Sequence, residues 1–474
     1  MNSELDALLA RSEVLRLVRD VLERHEPWLV GGTVRDLLMD RPVDDIDLVV
    51  AGGAEAPARD LAAAVRGHVF PLSERFGAWR VIARDRGWQA DLTPVRDGSL
   101  EADLALRDFT VNAMALPLSG GPLIDPHGGR DDLERKLIRV LGERSYREDP
   151  LRTLRMARLA CELGFAVDPE TKELAAANAA EIIRSAPERV FYELRRLVVT
   201  QQVMRGLRLM DETGLVAVLF PDLEQQKGVD QNPYHHRDVW GHTLEVLESL
   251  IAIERDPAAV FGDLAERLAA ELAPPLADDL TRGQALRFGA LLHDIGKPKT
   301  RRVADDGRIL FLGHDELGAE MITALCRELR TSTELSDFLA GIARHHLRLG
   351  FLVHERPLSR RQVYRYMRAC EPVELEVTVL SVADRLATRG ERTRQAALDA
   401  HLELARELAA EALQWRDRGP GMPLVRGDEL IRELQIEPGP RVGELLELLR
   451  EAAFAGEVSS REEALALARR EASS

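Results

Sequence analysis

Only three cysteines, Cys161, Cys326 and Cys370, occur in 474 residues. Their wide spacing excludes a disulfide framework and a thiolate zinc site. No apolar run approaches the roughly 20 residues that a bilayer-spanning helix requires. The charged N-terminal stretch lacks a secretory apolar core, so a cytoplasmic location with no membrane contact is expected. Basic excess is missing too. The formal net charge is −16, which argues against a non-specific nucleic-acid coat but leaves room for a local arginine stripe. Internal repeats and low-complexity tracts are absent, and nothing marks an obligate protein partner.

What is present is a folded, soluble composition, with 45% hydrophobic and 30% charged residues in a chain long enough for two to four domains. Residues 1–25 read as an amphipathic helix. From 28 to 125, short apolar runs (WLVGG, IDLVV, HVFPL, WRVIA, WQADLTPV) alternate with Gly and Pro turns and predict strands mixed with helices. Beyond about 130, Leu, Ala, Arg and Glu at helical spacing dominate. The expected fold is α+β, an N-terminal head followed by helical domains. Breaks at FPD (220–222), KGVDQNPYHHRD and RDRGPGMPLVRG (416–427) suggest units at 1–142, 143–228, 229–415 and 416–474.

The segment WLVGGTVRDLLMDRPVDDIDLVV combines two features. Gly31-Gly32 permits a sharp turn and close approach of a ligand. The helix expected from Thr33 to Met39 turns its N-terminal amides toward that point, which favours phosphate, and Arg35 adds a cation. Asp45 and Asp47 stand two apart on the next strand and so share a face. Two carboxylates on one strand suit Mg²⁺ together with substrate phosphates, and can serve phosphoryl transfer. Further on, YREDPLRTLRMARLACELGF places Arg152, Arg155 and Arg158 three apart as one stripe, with Leu151, Leu154, Leu159 and Leu163 for packing. Asp149-Pro150 is a good helix opening, and Asp149 with Arg152 offers acceptors and donors that match a base edge. In SAPERVFYELRRL, Ser185 and Glu188 fit a capping box.

Together these segments resemble the class II tRNA nucleotidyltransferase and bacterial poly(A) polymerase family, whose heads are polymerase-β-like. The resemblance implies an all-α neck, an HD domain and a helical tail after the head. It implies that Asp45 and Asp47 are catalytic and bind Mg²⁺, and that Gly31, Gly32 and Arg35 contact nucleotide. Asp91 falls where related enzymes often carry another acid. LALRDFTVNAMA matches a further motif, which adds Arg107, Asp108 and Asn112 to the nucleotide site. The first arginine of that motif's pair is Leu106 here. By the same resemblance Asp149 and Arg152 select the base of CTP or ATP, assisted by Arg155 and Arg158, and tRNA is the acceptor.

Eight of the twelve histidines fall between 235 and 354. Imidazoles and carboxylates on several helices can converge on divalent ions in a bundle. The order H…HD…H…HH…D resembles HD-domain phosphohydrolases. This implies a divalent metal held by His242, His293, Asp294 and Asp384, with His314 and either His345 or His346 for a second metal or phosphate, and Lys297 for phosphate. The tail, with a turn at Pro438-Gly439-Pro440 and a helix from about Val442, resembles that of bacterial tRNA nucleotidyltransferases.

Only DGSLEADLAL separates Arg96 from Arg107. Full CCA-adding relatives usually carry a longer loop there, so the resemblance implies a CCA- or CC-adding enzyme, the short loop pointing to CC addition with weak or absent A addition. The alternatives are a bacterial poly(A) polymerase, and an RNA-binding protein whose HD domain alone is active.

Overall fold

The structure, a computed structural model, describes residues 12–74, 76–84, 87–419, 421 and 423–472. The chain forms two compact units, Met1–Leu219 and Phe220–Ser474.

The first unit begins with α1 (Glu13–Leu22), where Ser12 accepts from the Leu15 amide as N-cap. The first eleven residues of the helix expected over 1–25 lie outside the described residues. Then follow β1 (Trp28–Val30), α2 (Gly32–Leu38), β2 (Asp45–Val50), α3 (Glu55–Val65), β3 (His68–Ser73), β4 (Ala78–Ile82), β5 (Gln89–Pro94), α4 (Leu100–Ala105) and β6 (Ala115–Pro117). The six strands form one sheet in the order β3-β4-β5-β2-β1-β6. β2 and β5 run parallel in register, Asp45 opposite Gln89 and Asp47 opposite Asp91. The other pairs are antiparallel.

Alternation decides which residues of β2 point into the core. Ile46 and Leu48 are buried with Leu29, Val81, Ala90 and Leu92, and Leu15, Val18 and Leu22 of α1 join the same cluster. The period of two therefore turns Asp45 and Asp47 to the opposite face. A one-residue slip of β2 would bury both carboxylates in that core.

Helices carry the rest of the unit. α5 (Glu143–Glu148) leads to α6 (Arg152–Leu163), and α7 (Pro187–Val198) follows further on. Leu159 and Met156 of α6 join Phe109, Ile138, Tyr146 and Phe165 in a second core. The strand signal does not vanish wholly after 130, because Leu137–Ile138 pairs in parallel with Ala166–Val167. Asp149-Pro150 does not open α6. Asp149 is the extended residue that ends α5, as a residue before proline prefers. The capping box at Ser185 is not formed either. Pro187 occupies the first helical turn, Ala186 is the N-cap and no side chain caps it.

In the second unit the helices α8 (Val239–Arg255), α9 (Arg282–Leu292), α10 (His314–Glu328), α11 (Thr333–His345) and α12 (Glu374–Ala387) carry the histidine cluster. Two short ribbons, Pro275–Ala277 with Leu280–Thr281 and Arg302–Val303 with Ile309–Leu310, interrupt the helices. Helix Pro440–Phe454 starts at the proline-glycine turn, and the tail has its own small core around Leu430, Leu445, Leu449 and Leu465. No helix among the described residues is long and apolar enough to cross a membrane. All three cysteines are free and buried.

Candidate active site and metal centre

Gly31 links β1 to α2 at φ +65°, a region that favours glycine. A Cβ there would meet Arg107 Nη1 at 2.7 Å and Asp47 Oδ2 at 3.1 Å. The turn is thus the point where backbone, cation and carboxylate crowd together. Thr33, the first residue after Gly32, fixes the carboxylate strand. Its hydroxyl donates to the Asp45 carbonyl at 3.1 Å and accepts from the Asp47 amide at 2.7 Å. Gln89 donates to Asp45 Oδ1 at 2.6 Å.

Burial raises the Asp47 carboxyl to about 6, with Arg107 opposing and Asp91 and Asp45 adding to the rise. A carboxylate costly to ionise beside two others is a donor set that a divalent cation relieves, so Asp45 and Asp47 fit a metal. Asp91 is committed elsewhere. Arg80 grips both its oxygens, at 2.6 and 2.7 Å.

Behind the carboxylates lies a polar network. Arg35 Nη1 donates to Asn112 Oδ1 at 2.6 Å, and Asn112 Nδ2 donates to Asp108 Oδ1 at 2.9 Å. Burial would raise Asp108, but Arg155, Asn112 and Arg152 hold its carboxyl down to about 2. Arg155 bonds Asp108 at 3.2 Å and Glu193 at 3.0 Å. Arg158 bonds the other Glu193 oxygen and Glu162. These groups line a cavity of about 370 Å³ that includes Gly31, Gly32, Arg35, Asp45, Asp47, Arg107, Asp108, Asn112, Arg152, Arg155 and Arg158.

Two predicted base-reading groups behave differently from the rest. Arg152 lines the cavity, yet its Nη atoms donate to the carbonyls of Leu106 (2.8 Å) and Arg107 (3.1 Å) and to Ser145 Oγ (2.8 Å). Asp149 is absent from the lining and pairs with Arg189 at 2.8 Å.

The second unit gathers His242 from α8, His293 and Asp294 from the end of α9, His314 from α10 and His346 from the end of α11. His293 Nδ1 faces the Ala290 carbonyl at 2.8 Å, His314 Nδ1 faces Phe311 at 2.6 Å and His346 Nδ1 faces Ala343 at 2.6 Å. Each bond fixes the ring and leaves Nε2 as the ligand atom. Asp294 joins two triads, His242–His293–Asp294 and Asp294–His314–His346. Within each triad the ligand atoms lie within 4.8 Å of one another. The Asp294 oxygens, His293 Nε2 and His242 Nε2 are buried, and the groups nearest them belong to the same cluster: His293 Nε2 lies 3.1 Å and His314 Nε2 3.3 Å from Asp294. A buried set of imidazoles facing a shared carboxylate fits divalent ions. Asp384 closes the first group, 3.0 Å from His242 Nε2.

Of the two adjacent histidines, His346 enters the cluster, while His345 accepts from Arg348 outside it. Lys297 is not turned to a phosphate. Its ammonium contacts Asp294 at 2.6 Å and Gln231 at 2.8 Å, so it offsets the charge of the shared carboxylate.

Known families match three stretches of the chain. Residues 27–139 match the poly A polymerase head domain, 164–227 the probable RNA and SrmB-binding site of polymerase A, and 239–389 the HD domain. The A-adding tRNA nucleotidyltransferase of Deinococcus radiodurans is 36% identical over 449 residues, covering 93% of this chain and 94% of that protein. The chain belongs to the tRNA nucleotidyltransferase family. A CC-adding tRNA nucleotidyltransferase of Thermus thermophilus is 34% identical, over 92% of both chains. A Thermotoga maritima CCA-adding enzyme complexed with tRNA superposes with a TM-score of 0.62 at 21% identity, covering 99% of this chain and 98% of that one. At that identity it speaks for the fold.

For a member of this family, the chain holds three site residues that sequence reading passed over. Glu193 is 1% exposed and braces both Arg155 and Arg158. Thr33 and Arg80 fix the acidic strands. Glu193 carried one available signal, an acid on the buried face of an amphipathic helix, which demands a cationic partner.

Proposed function

We propose that this enzyme adds cytidylates to the 3′ end of tRNA without a nucleic-acid template, with weak or absent adenylate addition. The observation that carries the reading is the single cavity joining Asp45 and Asp47 to the Gly31-Gly32 turn and the arginines. Asp45 and Asp47 would hold Mg²⁺, which would supply activation of the 3′-hydroxyl and charge relief at the departing pyrophosphate. Arg35, Arg107 and Asn112 cradle the triphosphate with the Gly31 and Gly32 backbone. Asp108, Arg155 and Arg158 complete the nucleotide site, and Asp149 and Arg152 set base choice after rearranging from the ties described above. In the second unit, His242, His293, Asp294 and Asp384 would hold a divalent ion, which would supply a nucleophile for phosphoester hydrolysis. Three reduced, buried cysteines suit a cytoplasmic enzyme.

The restriction to cytidylate rests on the segment before Arg107. It folds as the six-residue α4, whose buried Asp103 binds Arg96 at 2.7 Å and Arg107 at 3.2 Å. A segment tied at both ends does not swing to remodel a site. The Deinococcus relative favours a second reading, adenylate addition onto an existing CC end. Incubation of tRNAs ending before CCA, after C and after CC with CTP alone, ATP alone and both decides. The proposal expects two CMP additions and little AMP. Efficient AMP addition to the CC end supports the second reading, and a long adenylate tract supports a poly(A) polymerase.

A further inference from the structure

Tyr192 lies on α7 among buried neighbours. Val190, Phe191, Glu193 and Leu194 are covered, whereas Tyr192 is 41% exposed. The ring is held rather than loose. The Arg195 guanidinium lies 5.0 Å from its centroid and that of Arg196 5.6 Å, and Arg196 Nη1 donates to the Tyr192 hydroxyl at 3.1 Å. Arg196 also forks onto Glu162 at 2.9 and 3.1 Å and lines the cavity. A chain of ion pairs therefore runs from Asp108 through Arg155, Glu193, Arg158 and Glu162 to Arg196, whose hydrogen bond reaches Tyr192.

An exposed aromatic ring with guanidinium groups lying over it is a cation–π site at which an unpaired base can stack in place of a guanidinium, which then turns to the backbone phosphates. The ring is outside the cavity lining, whereas Arg196 is part of it, so the ring marks the rim rather than the triphosphate cradle. Tyr192 also falls within the stretch that matches an RNA-binding family. We propose that Tyr192 is the stacking platform for the 3′-terminal base of the acceptor RNA, placed at the cavity rim by Arg195 and Arg196. The inference rests on the reading that the chain extends an RNA 3′ end.

Steady-state CMP addition to a tRNA ending before CCA tests it, with RNA and CTP varied separately for the wild type, Tyr192→Ala and Tyr192→Phe. Loss of one stacked base raises KM for RNA in Tyr192→Ala by about five- to a hundredfold. KM for CTP stays near the wild-type value, and Tyr192→Phe, which keeps the ring, restores RNA binding. An unchanged KM for RNA in Tyr192→Ala overturns the inference. So does an equal rise for CTP, which places the incoming nucleotide on the ring. A Tyr192→Phe as impaired as Tyr192→Ala overturns it as well, assigning the effect to the hydroxyl. A wild type that adds neither CMP to this tRNA nor AMP to a tRNA ending in CC overturns the underlying reading and this inference with it, whereas a wild type that extends either RNA and is matched by Tyr192→Ala overturns this inference alone.

Discussion

Asp47 is held by the Thr33 hydroxyl at its amide while burial and two neighbouring acids push its carboxyl to about 6. A carboxyl raised in the fold favours the protonated folded state. Its favourable contribution is present below the unfolded value near 4 and is lost as pH rises through 6. Above pH 6 the metal-free protein therefore carries a strain of up to roughly 3 kcal/mol at this residue. Asp47→Asn is expected to melt at a higher temperature than the wild type at pH 7.5 in chelator, and the gap should close toward pH 4. A variant that melts at or below the wild type at pH 7.5 contradicts this. Asp108 has the opposite sign. Arg155, Asn112 and Arg152 overcome its burial and hold it down to about 2, so its contribution is present above the unfolded value and is lost on acidification through 2.

At the scale of elements, local pattern and long-range partnership separate what the sequence reveals from what it hides. Alternation is legible at the start of β2, where Ile46 and Leu48 enter one core and Asp45 and Asp47 share the other face; further along, Val49 on that other face is buried in a second cluster. The Gly-Gly turn was legible because a helix follows at once. Arg80 gripping Asp91 was not legible, since the pair comes from register between strands that sequence spacing does not fix. Nor was the role of Arg152, whose helical position says nothing about the carbonyls it meets 45 and 46 residues away. His345 and His346 could not be told apart because each ends the same helix. Only the packing of α11 selects which ring turns inward. Arg152 ties the first turn of α6 to the end of α4. Arg152→Ala removes the guanidinium donor from the Leu106 carbonyl, while the Arg107 carbonyl keeps the Ser145 hydroxyl at 3.2 Å, and should cost roughly 1–3 kcal/mol in urea unfolding. An unchanged midpoint would show that solvent replaces the guanidinium fully.

At the scale of the molecule, each unit carries its own donor set. The first unit offers a strand carboxylate pair with arginines suited to a triphosphate. The second offers buried imidazoles around a shared Asp294, a donor set suited to metal. The family relationship covers both units, since the Deinococcus relative aligns over 93% of the chain. Chain length predicts more than one unit, and the clustered histidines predict that imidazoles from several helices converge, as they do in the second unit. The central claim is that nucleotide addition to tRNA belongs to Asp45 and Asp47 in the first unit. It is tested most directly by incorporation of labelled CMP into tRNA lacking CCA. Three proteins are compared: the wild type, the Asp45→Ala/Asp47→Ala variant and the His293→Ala/Asp294→Ala variant. The account predicts incorporation by the first, none by the second and near wild-type incorporation by the third. Incorporation by the carboxylate variant at the wild-type rate would contradict it.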